Sequence, residues 1–110
     1  GCAVVAVPAR EGRVDPRILM ELLWQRFSLD SLIVEGGPTL LGSLFDEGLV
    51  DRVQAYIAPK IFGGLEALGP VAGRGAGDPA DAPVLSEVSL QMMGGDVLLE
   101  GRLQPCSPVS

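Results

Sequence analysis

The sequence contains no histidine and only two cysteines, Cys2 and Cys106, at opposite ends of its 110 residues. Without histidine no Ser-His or Cys-His nucleophile pair can be built, and the two cysteines offer no zinc-binding spacing. They are also too few for a disulfide scaffold, so two reduced thiols of minor structural weight are expected. Basic residues are scarce: 8 Lys and Arg stand against 14 Asp and Glu, a net charge of −6. That balance argues against nucleic acid as a partner. It leaves room for a phosphate ligand, because backbone N–H groups can hold an anion without net positive charge. No apolar run approaches the ~20 residues a membrane helix needs. Residues 1–10 lack the basic start and long apolar stretch of a signal peptide. No membrane partner and a cytoplasmic location are therefore expected.

Apolar residues make up 47% of the chain, which places it outside the disordered class. The length allows one small domain. Its apolar content is high for a free-standing one, and suits a piece whose faces meet something else.

The chain is organised around Ile33-Val34-Glu35-Gly36-Gly37-Pro38-Thr39-Leu40-Leu41-Gly42-Ser43. The apolar run Leu32 to Val34 reads as a buried strand, and the pattern after Pro38 reads as a helix. Gly36 and Gly37 carry no side chain, so a ligand can approach the loop closely. Pro38 suits the first helical position, where its missing N–H costs nothing. The free N–H groups of Thr39 and Leu40 then face outward at the positive end of the helix dipole, which favours a phosphate. The P-loop pattern fails, because Gly42 is followed by Ser43 and Leu44 rather than Lys. The dinucleotide pattern fails too, since the glycines fall at 36, 37 and 42. Spacing alone is equally compatible with a plain strand–helix turn.

Elsewhere the pattern alternates strands and helices. Ala3 to Val7 is a β-rich run ended by Pro8, and Arg10 to Arg13 is a polar turn. Asp15 and Pro16 open a helix as N-cap and N1, with Leu19, Leu22, Leu23 and Phe27 on one face. Trp24 reads as packing. A second helix from about Thr39 to Glu47 carries the stripe Leu40, Leu41, Leu44 and Phe45, and Gly48 suits its left-handed end. Val53 to Ala58 is a strand with Val53, Ala55 and Ile57 on one side. Gly63 to Pro83, crowded with Gly, Ala and Pro, reads as a mobile flap or connector. Val84 to Met93 and Val97 to Leu103 form a hairpin around Gly94-Gly95-Asp96. Residues 104–110 are a disordered tail. The order β-α-β-α-β-loop-β-β predicts an α/β domain, 1–103, with a mostly parallel sheet and a C-terminal antiparallel hairpin.

Three segments together, Val34 to Leu40, Gly48 to Asp51 and Ile57 to Gly64, resemble the C-terminal reductase domain of the bifunctional riboflavin-biosynthesis deaminase/reductase. The resemblance runs from about Val4 to Leu103 and covers the second half of that family's domain, whose fold is the three-layer dihydrofolate reductase type. The family's first strands have no counterpart before Gly1. The resemblance implies an NADPH-dependent reductase acting on 5-amino-6-(5-phosphoribosylamino)uracil, a pyrimidine ribosyl phosphate, and a homo-oligomer. It implies that Glu35 contacts substrate, and that Gly36, Gly37, Pro38, Thr39, Leu40, Leu41, Gly42 and Ser43 hold the cofactor. Lys60 is a weaker candidate for the phosphate end of the substrate. No residue stands out as a catalytic acid. Two alternatives remain: a non-catalytic nucleotide- or phosphate-binding or dimerising remnant, and a dihydrofolate reductase-like activity.

Overall fold

The computed structural model of the chain describes residues 1–104. The described chain divides into two units, Gly1–Gly36 and the segment that starts at Gly37. The greater part of the expected tail, with Cys106, lies outside the described residues.

The first unit is built on a small hairpin and a helix. β1 (Ala9–Arg10) pairs antiparallel with β2 (Arg13–Val14). Glu11 and Gly12 make the turn at φ 54° and 74°, the positive values that a two-residue hairpin requires. α1 (Pro16–Phe27) begins as the sequence predicts. The Asp15 carboxylate accepts from the N–H groups of Arg17 at 3.0 Å and Ile18 at 3.3 Å, satisfying two donors that the helix cannot. Arg10 Nε lies 3.5 Å from the same carboxylate, and Asp15 N–H donates to the Pro8 carbonyl, tying hairpin to cap. Leu19, Leu22 and Leu23 are half-buried, whereas Trp24 is 59% exposed and does not serve as packing. The helix ends on Ser28 in the left-handed region, φ 54°.

Two expected strands are not formed. Ala3–Val7 and Leu32–Glu35 have no ladder, and Leu32 and Ile33 are exposed. A strand exists only through a partner, and among the described residues neither segment pairs with one. Every ladder among the described residues is antiparallel, so they form two antiparallel sheets where a mostly parallel one was expected.

The second unit holds α2 (Pro38–Asp46) and a three-stranded sheet of β3 (Arg52–Ile57), β4 (Leu85–Met93) and β5 (Asp96–Leu103), ordered β3-β5-β4. α2 closes with two bonds, Gly48 N–H to Phe45 carbonyl and Leu49 N–H to Leu44 carbonyl, each 3.0 Å, with Gly48 at φ 65°. That is the Schellman ending expected of Gly48. β4 and β5 turn through Gly94 and Gly95 alone, both at positive φ, and Asp96 already pairs with Met93.

Register sorts the sheet into unlike faces. Ala55, Leu99 and Leu90 align across the three strands, as do Ile57, Val97 and Met92, making one face wholly apolar there. The other face carries Tyr56, Leu98 and Gln91, then Gln54, Glu100 and Ser89, with Gln54 Nε2 donating to Glu100. Leu98 and Leu44 are the buried large apolar side chains among the described residues of this unit. Leu90, Met92 and Ile57 are more than half exposed. A bulge shifts β4 between Ser86 and Ser89, with Glu87 at φ 50°. Near it Gly101 is buried, and a β-carbon there would sit 2.8 Å from that of Leu85. The glycine is what lets the strands close at this point.

Candidate functional site

The proposed cofactor turn belongs to the start of α2. Gly37 is the N-cap in extended conformation, φ −74° and ψ 175°, and Pro38 occupies the first helical position. No side chain caps the helix. Leu41 N–H is taken by the Gly37 carbonyl at 3.1 Å, so the donors that a helix start leaves over are those of Thr39 and Leu40. Nothing lies within 4 Å of the position a Gly37 β-carbon would take. The turn therefore combines two outward amides, the positive end of a dipole, and open space against bare backbone, a donor set that suits a phosphate.

The remaining residues of the stretch face elsewhere. The Ser43 hydroxyl donates to the Thr39 carbonyl at 3.0 Å. Gly42 is buried under another stretch of backbone: its β-carbon position lies 2.4 Å from Ala72 C and 2.6 Å from Gly73 N. Lys60 follows β3 on an exposed bend, its N–H bonded to the Ala58 carbonyl at 2.8 Å. Gly63 and Gly64 both have positive φ, as turn-shaping glycines do. Glu35 is exposed and Gly36 half-buried; both belong to the first unit.

The region read as a mobile flap is partly a built element. Ala72 N–H donates to the Pro38 carbonyl at 3.0 Å. The Asp46 carboxylate accepts from Arg74 N–H at 2.7 Å and Gly75 N–H at 3.2 Å, with Arg74 Nε at 3.7 Å. These bonds, the Arg74 amide foremost, hold the Asp46 carboxyl below the usual carboxylate range against the opposing effect of desolvation. Farther on, Asp78 caps a short 3-10 turn, Pro79–Asp81. Loop composition pointed to disorder because glycine and alanine bury little area. Small side chains also let two backbones touch, and here they do. A groove of about 460 Å³ opens at the far end of α2, lined by Phe45, Asp46, Val71, Arg74, Asp81 and Pro83 among others. None of the residues proposed for the cofactor lines it.

The family described as RibD C-terminal domain matches residues 2–99. The chain belongs to the RibD C-terminal domain family. It is 39% identical over 100 residues to the riboflavin biosynthesis protein RibD of Actinobacillus pleuropneumoniae, covering 91% of this chain and 26% of that protein. It is 39% identical over 93 residues to RibD of Escherichia coli K12, covering 84% and 25%. It is also 39% identical over 94 residues to the 2,5-diamino-6-ribosylamino-4(3H)-pyrimidinone 5′-phosphate reductase of Methanothermobacter thermautotrophicus, covering 86% and 43%. The chain thus spans about a quarter of the two bacterial relatives and less than half of the archaeal one. Among the described residues no His, Cys, Asp and Glu side chains gather into a metal site, and no helix is long and apolar enough to cross a membrane.

Proposed function

We propose that this RibD-family chain is part of a reductase of riboflavin biosynthesis. In this reading it uses NADPH to reduce 5-amino-6-(5-phosphoribosylamino)uracil to its ribitylamino product. The observation that carries the reading is the α2 start, an uncapped helix beginning on open glycine within a chain of this family. When bound, NADPH supplies the hydride for the sugar C1′, and the protein's part is to orient two ligands and exclude water. Thr39 and Leu40 donate their N–H groups to a cofactor phosphate, and Gly36 and Gly37 give it room. Pro38, Leu41, Gly42 and Ser43 hold the turn in shape. Glu35 contacts the pyrimidine substrate, and Lys60 meets its phosphate end. In the same reading the full domain completes a three-layer dihydrofolate reductase-like sheet, in which Ala3–Val7 and Leu32–Glu35 find parallel partners. The protein works in the cytoplasm as a homo-oligomer.

Calorimetric titration of NADPH into the parent and a Gly37→Val variant tests the site. The valine side chain enters the open space, and binding weakens by about 1–3 kcal/mol, the scale of unmade hydrogen bonds. Equal affinities would remove the turn from the site. The exposed apolar sheet face favours one second reading, a dimerising remnant without turnover. NADPH oxidation in the presence of the pyrimidine substrate separates the two.

A further inference from the structure

We propose that Asp46 is a positioning residue for the start of α2, acting through the strap formed by residues 72–75. Pro38, Gly42 and Asp46 are spaced four apart and so form one stripe along the helix. The strap follows that stripe from end to end. Ala72 bonds the Pro38 carbonyl, Ala72 and Gly73 lie against Gly42, and Arg74 and Gly75 donate to Asp46.

Each contact on this stripe needs the residue found there. A side chain on Gly42 would collide with strap backbone. Gly73 has φ +88°, and a β-carbon on it would lie 2.6 Å from Asp46 Oδ2 and 3.0 Å from the Gly42 backbone. Asp46 itself is the last residue of α2, where the negative end of the dipole opposes a carboxylate. Its charge is unfavourable to the isolated helix and is compensated by the strap's amides. The acid therefore serves the strap, and the strap grips the carbonyl of the first helical residue beside the proposed phosphate donors. The link to cofactor affinity rests on the functional reading above; the link from Asp46 to the helix start does not.

Amide hydrogen exchange on the chain, in the parent and in Asp46→Asn and Arg74→Ala variants, decides the matter. An asparagine can accept from one strap amide but turns a donor toward the other. Exchange at Ala72, Arg74 and Gly75 should rise about tenfold, the scale of one lost hydrogen bond to a charged group. The Leu41 amide at the helix start should rise with them, while the amides of β5 stay protected. Arg74→Ala should leave Ala72 and Leu41 protected, because its side chain is 79% exposed and the ion pair is a surface one. Freed Arg74 and Gly75 amides with unchanged Ala72 and Leu41 would overturn the proposal, as would an Arg74→Ala variant that behaves like Asp46→Asn. If Asp46→Asn unfolds the chain, Gly73→Ala, which forces the same strap outward, decides by the same amides. NADP+ affinity of Asp46→Asn should fall about threefold to tenfold, again the range of one hydrogen bond. A parent chain that binds no NADP+ would refute the functional reading alone, since exchange still judges the strap.

Discussion

Gly42→Ala sets two effects of opposite sign against each other. In an open helix interior, alanine is better than glycine by about 1 kcal/mol. At Gly42 the added carbon falls 2.4 Å from Ala72 C, 2.5 Å from Ala72 O and 2.6 Å from Gly73 N. Carbon atoms rest about 3.5–4.0 Å apart, so the strap must retreat by about an ångström. All three obstructing atoms are backbone, and no side-chain rotation relieves them. Overpacking of this kind costs about 1–3 kcal/mol. Retreat instead breaks the Ala72–Pro38 bond and strains those to Asp46, each worth about 0.5–1.5 kcal/mol. The clash offsets the helix gain, and a net loss of up to about 2 kcal/mol is expected after that gain is subtracted. Urea denaturation of parent and variant measures it, with the slope confirming that both unfold alike. A variant that is more stable by the full helix-propensity amount would show that the strap does not lie on α2 in solution.

Three further outcomes are expected. Ser28→Gly should stabilise the chain by about 0.5–1 kcal/mol, because Ser28 ends α1 at φ 54°, where a β-carbon is penalised; thermal melts check it. The Asp46 carboxyl is held below its ordinary value of 3.8, first by the Arg74 amide. Its bonds to the strap are therefore complete above that value and are lost as pH falls through the lower folded one, and Asp46→Asn abolishes the transition. The amide shifts of Arg74 and Gly75, followed by NMR on acidification, report it. The apolar sheet face should drive self-association, so light scattering should find a dimer or larger for the parent and a smaller species for Leu90→Lys, which is 65% exposed at present. A monodisperse parent monomer would contradict this.

Much of the local structure was legible because it is specified locally. Asp15 and Pro16 announce the start of α1, Gly48 the end of α2, and paired glycines the last hairpin, each through its own backbone requirement. β3 was readable from alternation, since Val53 and Ala55 are half-buried between exposed neighbours. The segments at Ala3–Val7 and Leu32–Glu35 are as apolar as any strand, yet apolar content says nothing about whether a partner is at hand. The candidate turn was visible for the same local reason as the caps. The strap was not, because its hold on α2 comes from backbone amides and from the absence of side chains. One signal was present: an aspartate as the last residue of a helix, where the dipole disfavours it, implies a compensating donor elsewhere.

The pairing of β3 with β5 has a consequence for synthesis on the ribosome. Arg52 through Ile57 pair with residues Val97 through Arg102, which follow the hairpin's first strand in the sequence. β4 and β5 can zip together in microseconds once both have emerged. β3 emerges first and waits while about 45 more residues are added, which at roughly 5–20 residues per second takes about 2–9 s. Through that interval Val53, Ala55 and Ile57 present an unpaired apolar row to solvent or to a chaperone. The long glycine-rich loop adds little to the later entropy of closure, since that term grows only logarithmically with length. What it lengthens is the time during which a half-made sheet can find the wrong strand.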